Sequence, residues 1–365
     1  MLRLICFLLL LLPAGNSFAQ APRETPEQRN ALSLDSFVYN ITQSIFTVVP
    51  QHTQFAYCVI QNGKPHYFGF QKESEAVKKI TNKDSVFELG SLTKLFTALL
   101  FSDLVSKGQL NTNDKLGSFF NQSLKAGNEK TLLSLVNHTS GLPRIPDDLE
   151  DGILNPYKDY YNKKLENYLQ HQLKVADTVA YDYSNLGYAV LEYIIAKKSG
   201  IAFEKHLQTF CLEDLSMHHT STQIEKIKPY LVQGRDSAGL PTENWEMNAF
   251  VGAGGLYSNV SDLEKWIQHY FEGKDPVFLQ TLDSTFEVSP QFNLAWAWHY
   301  LKNANGDIMY LHNGGTNGYG CTILMDTKKK NAVILLTNLS AFHPYFSYID
   351  KAAANIMRKL DRDSK

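Results

Sequence analysis

The stretch FELGSLTKLF, residues 87–96, carries the decision about this chain. Ser91 follows Gly90 at what reads as a strand-to-helix junction, and Leu92 to Ser106 continues as a helix apolar on nearly every face, hence buried. Such a helix is a costly place for Lys94. Positions i and i+3 share a helix face, so the Lys94 amine reaches back to the Ser91 hydroxyl. Burial disfavours the ammonium form, which lowers the lysine pKa and makes the amine a base. The Ser91 N–H sits at the helix N-terminus, where unpaired donors and the helix dipole favour a developing oxyanion. Taken alone, the pair fits two readings: a nucleophile beside its base, or a helix-capping serine and a snorkelling lysine.

Working outward, residues 35–49 read as an amphipathic helix, and two strands, 54–60 and 65–71, meet at Asn62-Gly63, a strong hairpin signal. From Ser91 to about residue 250 helical runs alternate with Gly and Pro punctuation, at 131–137, 160–173, 186–199 and 203–213. Strands return at 307–311, 319–326 and 331–338, and a helix from about 346 to 360 closes the chain. The pattern predicts an α/β part, about 35–90 and 250–360, around a mainly helical insertion, about 91–249.

Composition narrows the partners. The chain has 365 residues, 44% hydrophobic and 20% charged, enough for one large domain or two smaller ones. With 35 basic against 37 acidic residues it has no electrostatic footprint for nucleic acid or an anionic membrane. Arg3, the apolar run Leu4 to Leu12 and the small residues of Ser17-Phe18-Ala19 read as a cleaved secretion signal over 1–19, so the mature protein is expected to be exported, periplasmic or secreted. That run is far shorter than the roughly 20 residues of a spanning helix, and no transmembrane anchor is expected. Cys6 lies inside the run, which argues against a lipoprotein anchor. The remaining cysteines, Cys58, Cys211 and Cys321, have neither disulfide-framework nor zinc spacing and read as small buried hydrophobes. His218-His219 is an adjacent pair and no HExxH occurs, so neither metal nor cofactor is required.

The wider context resolves the serine–lysine pair. ELGSLTKLFTALL, LLSLVNHTSGLP (132–143), YSNLGY (183–188), GAGGLYSNVSDLEKW (252–266) and HNGGTNGYG (312–320) resemble, in order, the motif blocks of the class C β-lactamase and DD-peptidase family of penicillin-recognising serine hydrolases. The resemblance implies an antiparallel sheet flanked by helices, a mainly helical second domain, and a site in the cleft between them. It makes Ser91 the nucleophile, Lys94 its base and Tyr183, of Tyr183-Ser-Asn185, a proton shuttle, with Asn185 holding substrate or lysine. Tyr160-Tyr-Asn162 and Tyr257-Ser-Asn259 offer the same pattern, but only Tyr183 opens a loop before a helix as the family motif does.

The third motif departs from the family's β-lactamases: where they carry Lys-Thr-Gly, this chain has His312-Asn313-Gly314. A free histidine, with pKa near 6.5, is only partly charged, so carboxylate capture at His312 is expected to be weak or pH-dependent. Gly314 and Gly315 would let substrate approach the strand, with the Gly315 N–H as second oxyanion donor by family position. HTSGLP and GAGGLYSN read as tight turns that shape the site. The resemblance thus implies a serine hydrolase forming an acyl-enzyme, a DD-carboxypeptidase or esterase acting on a small ester or a peptidoglycan peptide, with a class C-like β-lactamase or a non-turnover penicillin sensor as alternatives.

Overall fold

The structure, a computed structural model, describes residues 32–74, 76–149, 155–303 and 306–363; the leader expected at 1–19 lies outside them. Strands β1 (Gln54–Gln61), β2 (Lys64–Glu73) and β3 (Ala76–Lys79) form a meander. The β1–β2 turn is the expected one: Asn62 and Gly63 take φ of 52° and 78°, the left-handed pair that matches strand twist. A two-stranded ribbon, β4 (Phe87–Glu88) with β5 (Tyr257–Ser258), brings the GGLYSN block beside the stretch that leads to Ser91.

The remaining strands are β6 (Phe286–Ser289), β7 (Phe292–Leu294), β8 (His299–Lys302), β9 (Ile308–Gly315), β10 (Gly320–Asp326) and β11 (Asn331–Thr337). Apart from the β4–β5 ribbon, the strands make one sheet of order β3-β2-β1-β11-β10-β9-β8-β7-β6, antiparallel throughout. β10 and β11 are buried at every position, because helices cover both faces of the sheet centre.

Numbering only helices of ten residues or more, these are α1 (Leu34–Phe46), α2 (Thr93–Ser106), α3 (Asn162–His171), α4 (Asn185–Ser199), α5 (Val260–Glu272) and α6 (Ser347–Asp363). Strand alternation divides the core: Phe55, Tyr57 and Val59 of β1 pack with α1 and α6, whereas Ala56, Cys58 and Ile60 join the side containing α2 and α5. α2 is buried from Thr93 to Leu104, and Phe96 stacks on Trp266 of α5 at 4.7 Å between ring centroids. The turn at its start is thereby anchored in the core.

Boundaries differ from expectation where packing overrides pattern. The run 203–213 is not one helix but a short α turn, Phe203–Leu207, followed by a π turn, Gln208–Leu212. The expected 35–49 helix ends at Phe46. β6, β7 and β8 were not legible: three or four residues each, with mixed burial and no clean alternation.

Candidate active site

Gly90 takes a φ of 47°, and the 3₁₀ turn Gly90–Leu92 runs into α2, so Ser91 stands half-buried at the helix mouth, lining a cleft. One turn on, Lys94 is wholly buried. Its Nζ lies 3.2 Å from Ser91 Oγ and donates to the Ala253 carbonyl at 2.6 Å. Among the described residues no carboxylate forms an ion pair with it. Burial, and secondarily the charge of Arg144, hold its pKa well below the usual lysine value. The GAGG turn therefore does more than shape the site: it supplies the carbonyl that aims the amine, and the Gly252 carbonyl likewise accepts the Thr97 hydroxyl at 2.6 Å.

Tyr183 lies beside this pair, with Lys94 Nζ 5.0 Å from its ring centroid. Ser184 caps α4, its Oγ accepting the Gly187 N–H at 2.8 Å, which fixes Tyr183 and Asn185 on either side of the cap. Asn185 lines the cleft, and its buried side-chain oxygen has no hydrogen-bond partner among the described residues. The other two Tyr-x-Asn candidates are elsewhere: the Tyr160 hydroxyl donates to Asp148 at 2.7 Å, and Tyr257 is buried in β5 against Val86 and Ile227.

Two neighbours of Tyr183 went unread in the sequence. His138, at a φ of 57° in the HTSG turn, stacks on the Tyr183 ring at 4.3 Å and accepts the Ser184 N–H at Nδ1, 3.1 Å away. That bond puts the proton of a neutral ring on Nε2, and burial, then Lys94, keeps the pKa of His138 well below the ordinary imidazole value. Arg144, two residues beyond Leu142, holds its guanidinium carbon 5.1 Å from the same ring centroid. The signal available was an arginine directly after the LP of the second block. Sequence alone does not show that it turns inward.

Strand β9 closes the opposite side. The sequence leaves His312 partly charged; the structure corrects this. The ring is buried, stacks on His299 at 5.4 Å with a 2° tilt, and does not line the cleft. Burial first, then the nearby His299 and Lys94, hold its pKa well below 6.5, so the ring is neutral at working pH. Its Nδ1 donates to the Asn313 carbonyl at 2.7 Å. Asn313 does face the cleft, and its Nδ2 donates to Asp350 of α6 at 2.8 Å. Burial raises the Asp350 carboxyl to about 6.

Gly314 and Gly315 line the cleft. They pair with Cys321 and Gly320 in unbroken register, without a bulge. The smallness of Gly314 serves the turn beneath Ser91, and that of Gly315 makes room for Ala341 and Phe346. A Cβ on Gly314 would meet the Leu89 carbonyl at 2.2 Å and the Leu92 nitrogen at 2.9 Å, and one on Gly90 would meet the Gly315 backbone at 2.7 Å. Gly90 and Gly314 thus let strand and nucleophile turn touch main chain to main chain. Cys321 contributes as well, its Sγ donating to the Leu89 carbonyl at 3.0 Å.

The far wall is tied down by Glu88, whose carboxylate accepts the Asn244 amide at 2.7 Å and the Trp245 N–H at 3.0 Å. Trp245 faces the cleft. No helix among the described residues is long and apolar enough to cross a membrane.

Comparison with known proteins agrees with this geometry. A family model described as Beta-lactamase matches residues 48–357. The chain is 28% identical over 218 residues to the Beta-lactamase of Escherichia coli (strain K12), covering 58% of this chain and 55% of that protein. It is 25% identical over 328 residues to Penicillin-binding protein 4* of Bacillus subtilis (strain 168), covering 80% and 69%. Protein flp of Staphylococcus aureus (strain MRSA252) is 26% identical over 305 residues, covering 78% and 59%. The matches thus span from about half to just over two thirds of these relatives' lengths. A solved class C beta-lactamase superposes with a TM-score of 0.73 at 20% identity, covering 89% of this chain and 96% of that one. An octameric penicillin-binding protein homologue from Pyrococcus abyssi gives 0.71 at 23% identity, covering 89% and 77%.

Proposed function

From the chain's membership of the beta-lactamase family of serine hydrolases, we propose that Ser91 is the nucleophile of a two-step acyl transfer that hydrolyses a peptide or small ester. One observation carries this reading: Lys94 is wholly buried, 3.2 Å from Ser91 Oγ, with no carboxylate among the described residues to pair it. A buried lysine so placed is neutral, and with one N–H on the Ala253 carbonyl its lone pair can take the serine proton.

In the first step the Ser91 O–H proton passes to Lys94 Nζ as Oγ bonds to the substrate carbonyl carbon. The carbonyl oxygen, now negative, rests on the Ser91 and Gly315 N–H groups. Collapse breaks the bond to the leaving group, which receives the proton from Lys94 by way of the Tyr183 hydroxyl. In the second step water gives a proton back along the same route, attacks the acyl carbon and frees Ser91. Asn185 holds the acyl part. His312, being neutral, contributes shape and packing rather than charge to carboxylate recognition.

A second reading, β-lactam hydrolysis, is favoured by the Escherichia coli relative that bears that activity in its name. Export of the mature chain, which the N-terminal residues suggest, completes the proposal. The test is an intact-mass time course of the protein with a penicillin, with Ser91→Ala alongside. A Ser91-dependent adduct that persists supports a peptidase or esterase that deacylates this group poorly, and a transient adduct with drug consumed supports the β-lactamase reading. Hydrolysis of any substrate by Ser91→Ala at the wild-type rate overturns the nucleophile assignment.

A further inference from the structure

The described lining of the cleft beside Ser91 carries one permanent charge. Among the described residues lining it, Arg144 is the only one that is cationic at all working pH, and none is acidic. His299, which also lines it, is neutral, its pKa lowered by burial to about 4. The Arg144 guanidinium is half-buried and rests over the Tyr183 ring at 5.1 Å. It has no ion pair or hydrogen bond with any described side chain. Its main chain is anchored, the Arg144 carbonyl accepting the N–H groups of Asn185 at 2.9 Å and Leu186 at 3.2 Å at the first turn of α4.

Three physical points converge. A guanidinium drawn partly out of water without an anion leaves donors poorly satisfied, and its planar fork matches a carboxylate bidentately. The β9 wall offers no rival cation: His312 is buried and neutral, and the group behind Asn313 is the acidic Asp350. An anion entering the cleft is therefore drawn to the Tyr183 side. We propose that Arg144 is the specificity residue of this site, binding a carboxylate on the substrate, so that the enzyme selects acidic esters or peptides over neutral ones. This rests on the reading of Ser91 as the nucleophile. It also relocates anion recognition from the third-motif strand to the segment after the HTSGLP turn.

Aryl boronic acids test both layers, because boron bonds reversibly to a reactive serine Oγ. The probes are phenylboronic acid and its 3-carboxy and 4-carboxy derivatives, with affinity measured by calorimetry near pH 8. The expected result is that at least one carboxy derivative binds wild type about 10- to 100-fold more tightly than the parent, the span of a charge-assisted hydrogen-bonded pair. Arg144→Gln should abolish that advantage, and Arg144→Lys should restore part of it. Ser91→Ala should weaken all three probes together. Equal affinity of the three for wild type, or an advantage that survives in Arg144→Gln, overturns the role of Arg144. Failure of every probe to bind wild type, or unchanged binding to Ser91→Ala, overturns the nucleophile reading on which it stands.

Discussion

A lysine buried without a counterion is the residue from which most of the chemistry follows. Lys94 acts as a base only when neutral, and burial aided by Arg144 holds its pKa well below the usual lysine value. Turnover of a neutral ester should therefore persist as pH rises and fall as pH drops through that depressed value. Arg144→Gln removes one of the two causes and should move the acid limb to higher pH; a pH–rate profile with an unmoved limb would show that the two cations are not coupled. Lys94→Met fills similar volume without an amine. It should lower kcat about 10²- to 10⁴-fold with little change in thermal stability, because the desolvated amine is removed while the Ala253 carbonyl loses only that one donor. Equal losses of activity and melting temperature would instead mark Lys94 as a packing residue. Ser91 and Lys94 were legible from the chain because they lie three residues apart, on a 3₁₀ turn and the helix it runs into. His138 and Arg144 were not, because what makes them matter is a tertiary contact with Tyr183 from a turn some 40 residues upstream in the chain.

Among elements, the contact between β9 and the nucleophile turn is the most demanding. Both partners there are main chain, so neither can yield by changing rotamer. Gly314→Ala should cost on the order of 2 kcal/mol of stability, as overpacking does, and should lower kcat/KM for an ester by displacing the Gly315 N–H from the cleft. Denaturant titration and steady-state kinetics on one preparation check both, and wild-type values for each would mean that the strand can shift freely. The HNGG block announced a site strand, but it did not announce what its glycines accommodate, since the Leu89 carbonyl that occupies the space is more than 200 residues away. The third motif was read through the pKa of a free histidine, and burial beneath His299 and Lys94 undid that reading. The β1–β2 hairpin and the two long buried strands were legible because local turn chemistry and continuous apolar runs define them. β6 to β8 lack both.

For the whole molecule, buried titratable groups set the pH range of stability. Burial raises the carboxyls of Glu88 and Glu192 to about 7 and that of Asp350 to about 6. Such a group keeps its proton in the fold and gives it up in the unfolded chain. Its contribution is whole below the ordinary value near 4.5 and is lost as pH rises through 7. The imidazoles of His138, His299 and His312 act oppositely, opposing the fold as pH falls below 6.5. Lys94, neutral in the fold but charged in the unfolded chain, acts in the same sense as the imidazoles, so the carboxylate contribution from there to about pH 8 is read as a difference between variants. Glu88→Gln, which keeps a neutral shape, should gain about 1 kcal/mol on wild type across this interval; a stability difference that does not change with pH would assign the titration to other groups.

The sheet order also dictates when the molecule can form. β1 pairs with β11, so the centre of the sheet joins residues 54–61 to residues 331–337. A ribosome has to deliver the chain through residue 337 before that seam can zip. Until then the first hairpin waits with one flank of backbone donors and acceptors open, a template for pairing with any extended neighbour. Chains that stop short of residue 331 should for this reason accumulate as insoluble material rather than as partly working enzyme, and the assembly of this protein waits on residues 331–337.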